Sequence, residues 1–227
     1  MVRVRTPRYL CPMPPLKTVL FDLDGTLIDS IRLIIDSYHH TLEVHGIPPK
    51  SDQEWLDGIG TPLRVQFAEW AHDEAQMEAL IATYRDYNIF HHDSRVTAYP
   101  GTVEMVRAVR AAGCRTGLVT SKNRVGAFRG LRLVGLEDAM DVVVGADDVA
   151  NPKPHREPVD RAVAHLDADP ATTVYVGDSL HDMHSGRGAG VRTAAVLWGP
   201  FRRSELEEAA PNYWLERPEE LLTIIGT

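Results

Sequence analysis

Apolar and polar positions follow two different periods along this chain, and the change between them divides it into parts. Thr18-Val-Leu-Phe21 is a short apolar run ended by acids and Gly25, the pattern of a buried strand. From Ser30 the spacing shifts. Ile31, Ile34, Ile35, Tyr38 and Leu42 recur at helical intervals, which predicts an amphipathic helix closing near Gly46, ahead of Pro48-Pro49. Helical spacing continues over 54–59, 63–70 and 74–90, with no strand signal in 51–97. After Tyr99-Pro100-Gly101 strands return between helices: helix 103–112, strand 115–119, helix 124–133, strand 141–144, helix 158–166, strand 173–176, helix 182–189 and strand 193–197. Strands alternating with helices predict a parallel sheet covered on both faces. The expected fold class is therefore α/β, interrupted after its first strand by an all-helical block. Residues 1–16 read as an N-terminal extension, 17–29 with 98–227 as the sheet domain, and 30–97 as the helical insertion. There are no internal repeats and no low-complexity stretch.

Composition narrows the partners. The chain has 227 residues, 44% hydrophobic and 25% charged, with a formal net charge of −8. That acidic balance offers no basic stripe to neutralise a nucleic acid backbone. No apolar run approaches the roughly 18 residues needed to cross a bilayer, so neither nucleic acid nor a membrane is an expected partner. Cys11 and Cys114 are too few for a disulfide framework and suit a reducing compartment. Residues 1–16 carry Arg3, Arg5, Arg8 and four prolines without an apolar core, unlike a secretory leader. The expectation is a cytoplasmic protein, monomeric or homodimeric. Lysine is scarce, at positions 17, 50, 122 and 153 only, so any anion site must draw on few ammonium groups.

Four clusters carry chemistry. Asp22-Leu-Asp24-Gly25-Thr26 follows the first strand, and residues two apart in an extended chain point the same way, so the two carboxylates can converge. Such proximity is costly unless a cation or a shared proton relieves it. An EF-hand reading fails, because the sixth and twelfth loop positions are Leu27 and Leu33. Gly177-Asp178-Ser179 with Asp182 ends another strand, where a turn and helix cap is the plainer explanation if it stood alone. Thr120-Ser121-Lys122 places two hydroxyls ahead of a helix, suited to an anion or merely to a cap. In Asn151-Pro152-Lys153-Pro154 a lysine sits on a backbone stiffened by prolines. Arg64, His45 and Tyr38 in the helical block are better placed as surface or packing residues. The paired histidines (39–40, 91–92, and 181 with 184) lack a third partner at zinc-ligand spacing.

In order and spacing these clusters resemble the haloacid dehalogenase (HAD) superfamily. Asp22-Leu-Asp-Gly-Thr-Leu-Ile-Asp-Ser30 matches the first motif, Thr120 the second, Lys153 the third, and Gly177-Asp178-Ser179 with Asp182 the fourth. Arg156 stands where relatives often carry the middle proline of the third motif. The resemblance implies a Rossmann-like HAD core with an inserted type 1 helical cap. It implies Asp22 as nucleophile and Asp24 as general acid and base. Thr120, Ser121 and Lys153 would hold the phosphate, with Asp182 orienting Lys153 or a metal-bound water. Mg2+ would be held by Asp22, Asp178 and the Asp24 carbonyl. An acid at position 24 points to phosphoryl transfer, because a departing halide needs no proton. The tail Ala195-Val-Leu-Trp198-Gly199-Pro with Asn212-Tyr-Trp-Leu resembles phosphoglycolate phosphatases and the related capped pyrophosphatases. The expectation is a Mg2+-dependent phosphatase of a small phosphate ester. Its alternatives are an inorganic pyrophosphatase, a phosphomutase and, outside catalysis, a phosphate-responsive module.

Overall fold

A computed structural model describes residues 14–226. The chain enters through β1 (Thr18–Phe21) and the short β2 (Ile28–Asp29). Four helices follow: α1 (Ile31–Val44), α2 (Asp52–Asp57), α3 (Leu63–Gln66) and α4 (Glu74–Arg95). Next come β3 (Thr97–Ala98), α5 (Thr102–Ala111), β4 (Arg115–Val119), α6 (Arg124–Leu133) and β5 (Val142–Val144). The second half runs α7 (Glu157–His165), β6 (Thr173–Gly177), α8 (Leu180–Gly188) and β7 (Arg192–Val196). It ends with α9 (Arg203–Leu206), β8 (Tyr213–Leu215) and α10 (Glu220–Ile225).

Six strands form one parallel sheet in the order β5-β4-β1-β6-β7-β8. The α/β expectation holds, and the alternation inside each strand explains the two covered faces. Val19 and Phe21 of β1 join Leu118, Val174 and Val176 under α5, α6 and α10. Leu20 points the other way, with Val119, Val144 and Tyr175, against Val159, Ala162 and Val163 of α7. The chain builds β1, β4 and β5 outward in one direction, then crosses to β6, β7 and β8 on the other side of β1. The order therefore reverses between β1 and β6, and the strand ends beside such a reversal leave a crevice for ligands.

The helices of 31–95 pack around an apolar cluster of their own. Tyr38 stacks on Trp55 with 4.2 Å between ring centroids, and Phe67, Leu80, Ile81 and Tyr84 close the group. Three expectations change here. Thr97 lies in a strand after all, because β2 and β3 pair antiparallel (Ile28 with Ala98, Asp29 with Thr97) where the chain leaves the sheet and returns. Two residues per strand are too few to show an alternation. α4 runs to Arg95, beyond the expected 90, although its last turn is polar. Buried His92, an Asp93–Arg129 ion pair and an Arg95–Asp36 ion pair hold that turn. The helix expected over 63–70 ends at Gln66, and residues 67–71 continue as turns that tuck Phe67 and Trp70 inward. β8 was not foreseen; it is a three-residue edge strand on β7. Residues 1–13, which include Cys11 and most of the expected extension, lie outside the described residues. Among those described, no helix is long and apolar enough to cross a membrane.

Candidate active site

The four motifs meet where β1, β4 and β6 end. Asp22 follows Phe21 directly, and its N–H donates to Val176 O (2.9 Å), which fixes it beside β6. Asp178 follows Gly177 at the end of β6. The helix after it is capped by Ser179, whose Oγ accepts from the Asp182 N–H (3.3 Å) while Asp182 reaches back to the Ser179 N–H (3.0 Å). Asp178 is therefore not a helix cap, and its carboxylate is left to face Asp22. The same logic frees the second motif. Asn123 caps α6 by accepting from Gly126 N–H (3.0 Å), so neither Thr120 nor Ser121 is used for capping.

Carboxylate oxygens of Asp22, Asp178 and Asp182 lie within 4.8 Å of one another, all buried. One ammonium faces the three. Lys153 Nζ lies 2.6 Å from Asp182 Oδ1 and 3.0 Å from Asp22 Oδ1, with Tyr175 Oη at 3.2 Å. The oxygens of Asp182 are all spoken for: Oδ1 by Lys153 and Tyr175 (2.8 Å), Oδ2 by Ser179 Oγ (2.6 Å) and N–H. Asp178 Oδ1 accepts from Thr26 Oγ1 (2.6 Å). By contrast, among the described residues Asp178 Oδ2 is buried without a hydrogen-bond partner, and buried Asp22 Oδ1 is met only by the Lys153 ion pair at 3.0 Å.

Burial dominates the proton affinities. It pushes the Asp22 carboxyl up to about 7 despite the opposing pull of Lys153, with Asp182 adding to the rise. It raises Asp178 well above the ordinary carboxylate value, reinforced by the charges of Asp182 and Asp22. For Asp182 burial is outweighed by Lys153, Ser179 and Tyr175, and its carboxyl is held low. Burial also works against the Lys153 ammonium, but Asp182 and Asp22 together hold it above its usual value. Three acids around one base, two with orphaned oxygens, fit a divalent cation between Asp22 and Asp178. The donors are hard oxygens, the kind that magnesium accepts.

Glycine is required at two contacts. Gly25 has φ +86°, and a Cβ there would lie 2.5 Å from Asp178 Oδ2; at Gly177 a Cβ would meet Asp182 Cβ at 2.5 Å. A side chain at either position would push an acid out of the cluster.

Asp24 is bound by groups outside that cluster. It accepts from Ser30 Oγ (2.5 Å) and from Lys122 Nζ (2.7 and 3.0 Å), and these partners outweigh burial to hold its carboxyl low. Those bonds occupy the side chain, while its expected metal role falls on the backbone carbonyl. Thr120 is buried, its Oγ1 accepting from Lys122 N–H (3.2 Å), and Ser121 Oγ donates to Gly60 O (2.5 Å) of the helical insertion. The expected phosphate-binding hydroxyls thus stand at the site, but Ser121 is engaged across to the insertion. Lys122, Tyr175, Thr26 and Ser30 were not foreseen as site residues. Lys122 sat beside a motif, and the strand alternation placed Tyr175 opposite Val174 and Val176. Only the fold aims both at the acids.

A cavity of about 530 Å³ opens between the insertion and α6 with its neighbouring loops, and Asp24 and Ser121–Asn123 line it. Asp24 and Ser121 are the expected site residues that line it; Asp22, Thr120, Lys153 and Asp178 do not. Arg64 pairs with Glu74 and Glu78, and Tyr38 belongs to the aromatic cluster, although both line the cavity. His45 bonds Thr83 (2.9 Å) away from it. Among the described residues the acids are the one group placed to hold a metal, and no histidine joins them.

Comparisons with known proteins bear on the family and the fold. The family described as haloacid dehalogenase-like hydrolase matches residues 19–196. A Bacillus cereus protein named pyrophosphatase PpaX is 41% identical over 211 residues, covering 93% of this chain and 97% of the relative. A Bacteroides fragilis crystal structure described as a haloacid dehalogenase-like hydrolase superimposes with a TM-score of 0.84 at 27% identity, covering 91% of this chain and 99% of that one. A Haemophilus somnus structure assigned as a phosphoglycolate phosphatase gives 0.83 at 22% identity, over 93% and 99%; at that identity the likeness is one of fold.

Proposed function

The chain belongs to the haloacid dehalogenase-like hydrolases, and on that premise we propose that it is a Mg2+-dependent phosphatase of a small phosphorylated metabolite, working through an aspartyl-phosphate on Asp22. One observation carries the proposal: Asp22 and Asp178 each keep a buried oxygen that no hydrogen bond uses, next to a single fully engaged lysine. A bound divalent cation supplies the positive charge that keeps both carboxylates ionised and draws a phosphoryl oxygen to them.

The chain's own groups then divide the work. An Asp22 oxygen attacks phosphorus, the ester P–O bond breaks, and the leaving oxygen departs with a proton. Water next attacks the phosphorus of the aspartyl-phosphate, loses a proton to Asp24, and frees phosphate and Asp22. Held ionised by Lys122 and Ser30, Asp24 is ready for that second step. Protonating the leaving oxygen requires Asp24 to take up a proton first, which separation from Lys122 favours. Lys153 stays fixed on Asp182 while meeting charge that gathers on the phosphoryl oxygens, and the Thr120 hydroxyl adds a donor. Asp182 acts on Lys153 rather than on phosphate. The helices of 30–97 serve as the cap that covers the leaving group.

A second reading, inorganic pyrophosphatase, is favoured by the 41% identity to relatives of that name. Phosphate release from phosphoglycolate, pyrophosphate, sugar phosphates and nucleotides, with Mg2+ and with EDTA, tests both. The expected outcome is turnover that requires Mg2+ and disappears in Asp22→Asn. Undiminished turnover in EDTA, or an active Asp22→Asn, would overturn the proposal.

A further inference from the structure

The cavity above Asp24 is built unlike a site for a bare inorganic anion. Its volume, about 530 Å³, falls within the roughly 300–1,000 Å³ of pockets that enclose drug-sized organic ligands, and far exceeds what a pyrophosphate fills. Its walls are largely apolar. Ile81 and Ile89 come from α4, Leu63 from α3, Ile34 from α1 and Val125 from α6. Two of these are exposed at the mouth, Ile89 by 49% and Val125 by 75%. Large aliphatic groups left open to water on facing elements are costly unless something covers them.

The cationic groups of the same cavity differ in availability. Arg64 is taken by Glu74 and Glu78, Arg129 by both oxygens of Asp93 (2.8 and 3.0 Å), and Lys122 by Asp24. Arg85 alone among these has no ion pair or hydrogen bond with any described residue. On α4 it shares one helical stripe with Ile81, Asn88 and Ile89, at intervals of three and four, and lines the cavity beside them. A free guanidinium presents a planar fork that matches carboxylate or phosphate oxygens.

We propose that the leaving group is an organic body with an apolar stretch and an oxyanion at its far end, the stretch lying against Ile81, Ile89 and Val125 and the oxyanion meeting Arg85. The inference rests on the phosphatase reading of the same site and specifies its substrate class. It makes Arg85 a specificity residue that acts on the tail of the substrate while Asp22 acts on phosphorus. The apolar contacts favour an organic ester over pyrophosphate, and the Arg85 contact favours a charged ester over a neutral one.

The test compares kcat/KM for phenyl phosphate, 4-carboxyphenyl phosphate, 1,4-phenylene bisphosphate and pyrophosphate, in the wild-type protein, Arg85→Gln and Arg85→Lys. Wild-type protein should prefer one of the two charged aryl esters to phenyl phosphate by about tenfold. Arg85→Gln should erase that preference, mainly through KM, and Arg85→Lys should restore part of it. The charged ester that depends more on Arg85 identifies the oxyanion as carboxylate or phosphate. Val125→Asp should lower the ratio of phenyl phosphate to pyrophosphate turnover. Pyrophosphate preferred over every aryl ester, or a charged-to-neutral ratio equal in wild type and Arg85→Gln, overturns the inference and leaves the phosphatase reading intact. Calorimetric binding of 4-carboxyphenyl phosphate to Asp22→Asn separates the converse case. Arg85-dependent binding without turnover in wild type keeps the pocket and removes the phosphatase reading, whereas binding indifferent to Arg85 removes the pocket.

Discussion

Lys153 is the single cation facing three buried carboxylates, so Lys153→Met should expose the electrostatic cost of the site. The substitution keeps side-chain bulk while removing the ammonium 2.6 Å from Asp182 and 3.0 Å from Asp22. Asp182 Oδ1 then retains only Tyr175, and Asp22 Oδ1 retains nothing. Removing one partner of a buried ion pair costs about 3–5 kcal/mol, because the charge left behind is neither solvated nor paired. For a chain of this size, at roughly 2–4 °C per kcal/mol, the melting temperature should fall on the order of 10 °C. The deficit should also depend on pH. Asp22 already binds its proton more tightly folded than unfolded, with a pKa of about 7 against the ordinary 3.8 of an exposed aspartate. A group raised in this way favours folding below its unfolded pKa, and that contribution is lost as pH rises through the folded value. Without Lys153, Asp22 moves further up and Asp182, now held low, loses what depressed it. The deficit of Lys153→Met should therefore be small near about pH 5, where both acids can be protonated, and full near about pH 8. Urea unfolding of both proteins in EDTA at the two pH values measures it. A stability loss under about 1 kcal/mol at pH 8, or an equal loss at both, would refute the reasoning.

Three further outcomes follow from the same geometry. Mg2+ should raise the melting temperature of the wild-type protein more near about pH 8 than near about pH 5, since a cation relieves Asp22 and Asp178 only once they ionise; a pH-independent shift in thermal melts would contradict the site. Gly25→Ala should lose Mg2+-dependent stabilisation and about 2 kcal/mol or more of stability, because its Cβ meets Asp178 Oδ2 at 2.5 Å on a left-handed backbone, and an unchanged Mg2+ titration would speak against that cradle. Lys122→Met should move the basic limb of the kcat/KM profile to higher pH, because Lys122 is what chiefly offsets burial at Asp24 and without it Asp24 keeps the proton for the leaving oxygen to higher pH; a limb that stays in place would remove Asp24 from the step it reports.

The candidate site was legible in the chain as four separated motifs, whose residues stand just past β1, β4 and β6, in the loop after β5 and in the first turn of α8. What the motifs could not show is how each side chain is spent. Thr120 and Asp178 are equally suited to capping helices by sequence, and only the fold gives those roles to Asn123 and Ser179. Asp24 looked like a partner for Asp22, and it is instead bound by Lys122 from 98 residues away. Short elements were missed for a related reason: β2, β3 and β8 contain two or three residues each, fewer than a full alternation.

By itself, then, the sequence determined the elements whose apolar period is long enough to read, the parallel sheet those elements imply, and the identity of the acids and the lysine at its strand ends. Those features are local, set by side-chain spacing on one strand or helix. The tertiary structure alone decided that Asp178 keeps a buried oxygen without a partner, that Asp22 has one met only by Lys153, that Asp182 has none to spare, and that Lys122 holds Asp24. It alone left Arg85, at the wall of the largely apolar cavity, without an ion pair or hydrogen bond to any described residue. Each of these depends on which residues from distant parts of the chain share a few ångströms of buried space, where a missing partner is costly and a single hydrogen bond settles a proton.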